Sequence, residues 1–291
     1  MYTIQNEFLK VTVAALGAEL MSIVAADGTE YIWQGDPKYW TDRCPNIFPS
    51  VGRLTNGKYE LDGNWYELGC HGFAWRSEFE VVKHEETYLE MRLTHSDATL
   101  AVYPRKFIFT IAYTLNGNVL DTLYKVENLD DKELPFGIGG HPGFNVPLAA
   151  GKQFEDYQLR FSEKCQPEIF LLSPNYLLSG EVAPYPLEDD RIIPMRHTLF
   201  DIDAIVLRNA AREVTLEAAG DSHSVTVTYP DMRYIAFWHA HQTDAPYVCI
   251  EPWCSLASID GVPAHFGQRE DLLRLAPGET YENHWTIRCA F

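Results

Sequence analysis

The chain has 291 residues, of which 46% are hydrophobic and 13% aromatic, so it can bury a large core and a disordered chain is excluded. Its 41 acidic and 23 basic residues give a formal net charge of -18. Such a charge repels polyanions, so we expect no nucleic-acid partner.

The N-terminal stretch MYTIQNEFLKVTV has no basic patch followed by an apolar run, and no run of about 18 uncharged apolar residues occurs anywhere. We therefore expect neither a secretion signal nor a membrane span. The six cysteines form no CxxC pair, which favours reduced core thiols over disulfides or zinc ligands. They are Cys44, Cys70, Cys165, Cys249, Cys254 and Cys289. Together these features predict a cytoplasmic protein without a structural metal.

Turn dipeptides punctuate the chain and predict hairpins. Asp27-Gly28, Asp62-Gly63 and Asn116-Gly117 each separate two runs rich in β-branched and aromatic residues, which is the strongest short-range hairpin signal. Further strands are predicted, in chain order, over 8–14, 78–83, 88–94, 224–229, 234–238, 247–251 and 284–289.

Period-two alternation, as in FIFTIAYTL, is common, whereas no window shows a sustained apolar stripe with a period of 3.6 residues. The pattern predicts an all-β fold, a large antiparallel β-sandwich of two stacked sheets with few short helices. Single helical turns are expected near 36–40 and 269–273. Residues 172–196 show little alternation and are interpreted as a surface excursion, so that residues 1–291 form a single domain rather than two.

Two residues stand in unusual local sequences. His141 lies in GIGGHPGFNVP, where glycine and proline specify an irregular backbone around an imidazole. Glu251 lies in YVCIEPWCS, at the end of an apolar run, where burial would raise its pKa towards neutrality. A carboxylate and a histidine brought together in this way suit paired proton transfer, so the chain is interpreted as an acid-base enzyme.

Each of these residues also has a purely structural interpretation. A lone histidine is often a satisfied structural residue, and a carboxylate at a strand end can cap a turn or pair with an arginine. Arg53 and His71 flank a predicted hairpin, and their donors and acceptors suit sugar hydroxyls. Four tryptophans could supply apolar faces for a sugar ring, although most aromatic residues in a chain this rich in them belong to the core. They are Trp33, Trp40, Trp75 and Trp253.

Two histidines in the sequence WHAH, His239 and His241, have a spacing compatible with metal ligands on one face of a strand. No third ligand lies nearby in the sequence. We therefore favour His239 as a residue that lines the active site over a metal ligand. No P-loop, GxGxxG, HExxH, GxSxG or EF-hand motif is present.

Three segments, VGRLTNGKYELDGNWYEL followed by HGF, GGHPGFNVP, and CIEPW, resemble the aldose 1-epimerase (galactose mutarotase) family in order and spacing. The similarity is closest to the mutarotase-like proteins of lactose operons in Gram-positive bacteria, and it spans nearly the whole chain. The resemblance implies an antiparallel β-sandwich with an open sugar cleft, a small-molecule sugar substrate and no cofactor.

Position by position, the resemblance implies that Glu251 is the base that removes the proton of the anomeric hydroxyl and that His141 is the acid that protonates the ring oxygen. It also implies that Arg53 and His71 hold the sugar. A further aspartate that binds ring hydroxyls corresponds to Asp203 or to the neighbouring Asp201.

The sequence HGFAWRS departs from both branches of the family. Typical galactose mutarotases have a second glycine after HG, and the hexose-6-phosphate epimerases follow HGFA with an arginine, where this chain has Trp75. The missing cation and the net charge favour a free hexose as substrate. A sugar phosphate stays an alternative, because the neighbouring Arg76 supplies a cation. A non-catalytic carbohydrate-binding protein is the third alternative. Which sugar is used and the oligomeric state stay open.

Overall fold

A computed structural model describes residues 1–291 and contains 25 strands. The first twelve are β1 (Tyr2–Gln5), β2 (Leu9–Val13), β3 (Leu20–Ala25), β4 (Asn46–Ile47), β5 (Lys58–Leu61), β6 (Asn64–Glu67), β7 (Glu80–His84), β8 (Tyr88–Thr94), β9 (Phe107–Asn116), β10 (Val119–Asn128), β11 (Leu134–Phe136) and β12 (Gly139–Gly140). The others are β13 (Gly143–Asn145), β14 (Tyr157–Phe161), β15 (Glu168–Leu172), β16 (Leu178–Pro184), β17 (Ile192–Pro194), β18 (Ile205–Arg208), β19 (Glu213–Ala218), β20 (Ser224–Thr228), β21 (Tyr234–Trp238), β22 (Tyr247–Trp253), β23 (Ala264–His265), β24 (Leu273–Leu275) and β25 (Thr280–Ala290).

Helical structure is sparse. The single α-helix, α1 (Asp97–Val102), begins with a capping box in which the side chains of Ser96 and Thr99 each accept a hydrogen bond from the other's backbone N–H. Four 3₁₀ turns occupy Thr55–Gly57, Ala74–Arg76, Phe154–Asp156 and His197–Phe200. Of the two predicted helical turns, the one near 36–40 is found, because the N–H groups of Tyr39 and Trp40 both donate to the carbonyl of Asp36. The one predicted near 269–273 is wrong, because that segment contains no helical residue and β24 begins at Leu273. None of the helical segments has the length and hydrophobicity that a membrane-spanning helix requires.

Two large antiparallel sheets dominate the fold. One has nine strands in the order β17-β14-β19-β20-β25-β10-β9-β8-β7, and the other runs β16-β15-β18-β21-β22-β12-β4, with β13 also paired to β22. Smaller sheets are β1-β2-β3, β11-β24 and β23-β5-β6, in which the β23–β5 pair is parallel. The predicted all-β class with antiparallel sheets is confirmed.

The two large sheets stack face to face, since alternate residues of their strands point into one hydrophobic core of 65 buried residues. Phe161 of one sheet and Phe237 of the other have ring centroids 6.2 Å apart. The hydroxyl of Tyr124 in β10 donates to Oδ1 of Asn46 in β4 at 2.6 Å, which joins the sheets by a buried polar contact. The eight-stranded sheet therefore has one face in the core and the other available for a site.

The turn dipeptides have different outcomes. Asp62 and Gly63 take positive φ between β5 and β6, and Gly117 does so between β9 and β10, so these two predicted hairpins are confirmed. The turn at Gly28 leads only to an isolated bridge between Val24 and Glu30, not to a second strand. All seven strands predicted beside the hairpins are also found, with shifted ends in most cases.

The segment 172–196, interpreted from its sequence as a surface excursion, contains two edge strands. It contains β16, which pairs with β15 at the edge of the eight-stranded sheet, and β17, which pairs with β14 at the edge of the nine-stranded sheet. Most of β16 is exposed, so it lacks the buried alternate positions on which a sequence pattern depends. The sequence pattern therefore does not predict β16.

Candidate active site

The position of Glu251 follows from the register of β22, a central strand of the eight-stranded sheet. Successive side chains of a strand alternate between faces, so Val248 and Ile250 enter the core, while Cys249 and Glu251 point to the opposite face. Glu251 pairs with Ala236 of β21 in this register. The outer face of β22 is therefore the floor of a cleft.

His141 lies in the short connection between β12 and β13, which crosses close to β22. A Cβ atom on Gly139 would lie 2.6 Å from the side chain of Trp253, and one on Gly140 would lie 2.7 Å from the ring of Trp285. The backbone N–H of His141 donates to the carbonyl of Pro45 at 3.1 Å. The glycines therefore allow the close approach that brings the imidazole over the cleft floor.

The two side chains meet in the cleft, where Nε2 of His141 lies 3.1 Å from Oε2 of Glu251. The contact is within reach of proton transfer, but its angles are not those of a hydrogen bond, and Oε2 has no other partner. His141 is 8% and Glu251 1% exposed. This pair is the best candidate for acid-base chemistry in the molecule.

Burial sets the ionisation of this pair. It raises the pKa of Glu251 well above its ordinary value, and the nearby Asp203 carboxylate adds to the effect. Burial also lowers the pKa of His141 well below its ordinary value, and the neighbouring His71 adds to that. In the free protein both effects favour a protonated carboxyl beside a neutral imidazole.

His71 lies beside His141, with ring centroids 5.3 Å apart and an interplanar angle of 84°. It takes a left-handed φ of 62° and its N–H donates to the carbonyl of Gly52 at 3.0 Å. The N–H of Gly52 in turn donates to Nδ1 of His71 at 3.2 Å, which leaves the ring proton on Nε2. Burial, aided by the Arg53 charge, lowers the pKa of His71 to about 4, so it is a neutral donor at physiological pH.

Arg53 and Asp203 form the rim of the cleft. Nη1 of Arg53 lies 3.3 Å from Oδ2 of Asp203, with side chains 50% and 14% exposed. The indole N–H of Trp238 donates to Oδ1 of the same carboxylate at 2.7 Å. Asp203 lines the cleft, whereas Asp201 lies on the exposed surface outside it. The structure thus favours Asp203 over Asp201 as the cleft aspartate.

The cleft has a volume of about 250 Å³. Three of the four tryptophans considered from sequence line it, and Trp33 does not. Residues that sequence reasoning missed also line it, chiefly Trp238, Asp42, Tyr176 and Cys70. Trp238 pairs with Cys249 and therefore lies on the same face as Glu251. The sequence alone does not specify the register of that pair, so it could not predict Trp238 as a cleft residue.

The predicted role of His239 in the site disagrees with its position. β21 ends at Trp238, which faces the cleft, so the next side chain points away from it. His239 is fully buried, with Nδ1 bonded to the carbonyl of Ala240 and Nε2 3.2 Å from Nδ1 of His197. Its partner in the WHAH sequence, His241, is exposed and contacts the ring of Tyr176. The two histidines form no common site.

One set of metal-ligand atoms comes together at the cleft floor, where His141 and Glu251 line the cleft and Cys249 is buried beside them. His141, Cys249 and Glu251 each offer one such atom, and the three atoms lie within 4.8 Å of one another. All three residues are buried.

Comparison with known proteins agrees with this architecture. A family model described as aldose 1-epimerase matches residues 1–288. The chain is 34% identical over 269 residues to the chromosomal LacX protein of Lactococcus lactis, covering 88% of each chain.

Solved structures give the same result. A galactose mutarotase related enzyme from Lactobacillus acidophilus superposes with a TM-score of 0.94 at 32% identity, covering 99% of this chain and 96% of that one. A galactose mutarotase-like protein from Lactobacillus casei gives a TM-score of 0.93 at 30% identity, covering 99% of each chain. The chain therefore belongs to the aldose 1-epimerase family and is an enzyme of the isomerase class.

Proposed function

We propose that the protein interconverts the α and β anomers of a free, unphosphorylated hexose, with Glu251 as the base and His141 as the acid. The observation that carries the proposal is the buried 3.1 Å contact between these two side chains at the floor of the cleft. The cleft volume of about 250 Å³ is somewhat below that of pockets for drug-sized ligands, roughly 300 to 1,000 Å³, which favours a single sugar ring.

In the forward direction the Glu251 carboxylate takes the proton of the anomeric hydroxyl, and the imidazolium of His141 gives a proton to the ring oxygen. The bond between C1 and the ring oxygen breaks, and C1 becomes an aldehyde carbon. Rotation about the C1–C2 bond turns the other carbonyl face towards the former ring oxygen. Closure then reverses both proton transfers, so the enzyme returns to its starting state.

The neutral pair favoured by burial and the charged pair needed to open the ring carry the same number of protons. They differ only in which partner holds the shared proton, and Nε2 and Oε2 are close enough to exchange it. An anomeric hydroxyl that donates to the carboxylate, and a ring oxygen that accepts from the imidazolium, stabilise the charged form. Sugar binding thus prepares the pair for catalysis.

The remaining polar groups suit a ligand with many hydroxyls. Nδ1 of His141, Oε2 of Glu251 and the indole N–H of Trp253 are buried without hydrogen-bond partners in residues that line the cleft. A hydroxyl both donates and accepts, so it can satisfy any of them. His71 offers its Nε2 proton, and Arg53 with Asp203 completes the set on the rim.

The charges of the cleft support a neutral sugar. Arg53 is the only cationic side chain of its lining and is already paired with Asp203, while Asp42 adds a second negative charge. Arg76 does not line the cleft, and its guanidinium carbon lies 3.9 Å from the ring centroid of Trp75. A phosphate would therefore meet more repulsion than attraction.

Anomer exchange, followed by NMR on a panel of hexoses with and without a 6-phosphate, tests the proposal. We expect faster exchange, at equal low concentration, for a neutral hexose than for its 6-phosphate, with added salt narrowing the gap. The opposite ranking favours a sugar-phosphate mutarotase. Sugar binding without any exchange favours a non-catalytic carbohydrate-binding protein.

We also propose that the enzyme acts in the cytoplasm. All six cysteines are free and four of them are buried, which suits a reducing compartment.

A further inference from the structure

We propose that the cleft floor is also an inhibitory binding site for a thiophilic divalent cation such as Zn²⁺, held by His141, Cys249 and Glu251. The inhibition, though not the binding, rests on the function proposed above. Cys249 takes no part in the proton transfers, and its thiol adds a sulfur metal ligand to the floor.

The three side chains converge because of two separate features of the fold. Cys249 and Glu251 are two residues apart on β22 and point to the same face, and the connection between β12 and β13 brings His141 over them. Zinc bonds of about 2.0 Å to nitrogen or oxygen and about 2.3 Å to sulfur hold one sulfur and two nitrogen or oxygen ligands of a tetrahedral site roughly 3.3 to 3.5 Å apart. Ligand atoms already within 4.8 Å of one another need only small side-chain rotations to reach that spacing.

The donor set and its charge favour zinc over magnesium or calcium. A sulfur and an imidazole nitrogen are the ligands that zinc prefers, whereas magnesium and calcium require mostly oxygen ligands. A thiolate, a carboxylate and a neutral imidazole together balance the charge of a divalent cation, so the complex carries no net charge into the buried floor. The net charge of -18 and the carboxylates of Asp42 and Asp203 in the cleft attract cations towards it.

Three ligands leave a fourth position open to the cleft, which is where the sugar binds in the proposed function. A coordinated Glu251 can no longer take a proton, and a coordinated His141 can no longer carry one. Metal and sugar should therefore exclude each other, and bound zinc should abolish turnover.

Binding is tested directly by titrating the metal-free wild-type enzyme with Cd²⁺ and recording the ultraviolet charge-transfer absorption of a cadmium–thiolate bond. We expect one equivalent to bind, galactose to weaken the binding, and Cys249→Ala to abolish the absorption. Cys70→Ala is the matched control, because Cys70 is the thiol that lines the same cleft outside the ligand set. It should keep the absorption.

Inhibition is then measured by NMR anomer exchange with added Zn²⁺. We expect wild-type exchange to be lost and restored by excess chelator, and Cys249→Ala to need at least roughly 100-fold more zinc, since groups that merely support a ligand are already worth 10- to 100-fold in affinity. Equal inhibition of wild type and Cys249→Ala overturns the proposal, as does a wild-type titration without thiolate absorption. Should the alanine variant not fold, Cys249→Ser and the galactose competition in wild type decide. The absorption titration needs no catalytic activity, so a failed proposed function does not obscure its result.

Discussion

The floor and the rim of the cleft each hold a carboxyl group beside a nitrogen-bearing side chain, but the two carboxyl groups differ in burial and in hydrogen bonding. On the floor, His141 and Glu251 are buried and lack aligned hydrogen bonds. On the rim, Asp203 lies against the half-exposed Arg53 and accepts a second hydrogen bond from Trp238. The rim carboxylate is satisfied by the protein, and the floor carboxylate is not.

The difference indicates how the work of the site is divided. A buried carboxyl group without hydrogen-bond partners destabilises the free protein. A ligand that donates a hydrogen bond to it offsets this cost. A satisfied carboxylate at a water-exposed rim can orient hydroxyls with little change in its own ionisation. In the proposed function the floor therefore carries out the proton transfers and the rim holds the sugar, and substitutions in each should separate the two roles.

The largest effect is expected on the floor. Glu251→Gln keeps the shape but removes the base, and His141→Asn keeps a hydrogen-bonding group but removes the titrating acid. Each should lower turnover by roughly 10² to 10⁴, about 3 to 5 kcal/mol of barrier, with little change in sugar affinity. Their melting temperatures should equal or exceed that of the wild type, because an unsatisfied buried ionisable group is removed. Exchange rates by NMR, with circular dichroism as the folding control, check both statements.

A smaller effect of a different kind is expected on the rim. Asp203→Asn keeps an acceptor for Trp238 but removes the charge that faces Arg53. Because the pair is partly exposed, we expect kcat/KM to fall about 10-fold, mostly through a higher KM. A loss of turnover as large as that of Glu251→Gln would place Asp203 in the chemistry and remove the distinction between floor and rim.

The sequence singles out His141 and Glu251 as candidates because their signal is local. Glycines around His141 and the apolar run before Glu251 are visible without knowing any long-range contact. The assignment of His239 failed for a physical reason, since strand alternation gives Trp238 and His239 opposite faces and only the pairing of β21 with β22 decides which face is the cleft. Tyr176 lies in the turn between β15 and β16. Because β16 is mostly exposed and has no apolar pattern, the sequence does not predict this hairpin or the position of Tyr176. The ligands of the proposed zinc site are not apparent from the sequence, because His141 is remote in sequence from Cys249.

A loss of stability without a change in catalysis is expected on substitution of His239, whose side chain points away from the cleft. His239→Gln disturbs a buried contact with His197 and with the carbonyl of Ala240. We expect the free energy of unfolding to fall by about 1 to 3 kcal/mol while kcat and KM stay unchanged. Urea unfolding and steady-state exchange measure the two parts. A raised KM with unchanged stability would return His239 to the sugar site.

The smallest effect concerns pH and lies far from the cleft. His223 is bonded to Asp27 and Asp221, and both carboxylates raise its pKa. The stability that this gain supplies is fully present below the ordinary histidine pKa of about 6.5 and is lost as pH rises through the raised value. Because Asp27 is exposed, we expect only about 0.5 kcal/mol, seen as a loss of wild-type stability as the pH rises from about 6.5 through the raised pKa of His223. This loss should be absent in His223→Gln.

The central claim, that Glu251 and His141 act in one ring-opening event, is tested most directly by the double variant Glu251→Gln/His141→Asn. If both protons move in the same event, removal of the second group costs little once the first is gone, and the double variant should exchange anomers at nearly the rate of the slower single variant. A rate equal to the product of the two single losses, or near-normal exchange in either correctly folded single variant, would contradict the account.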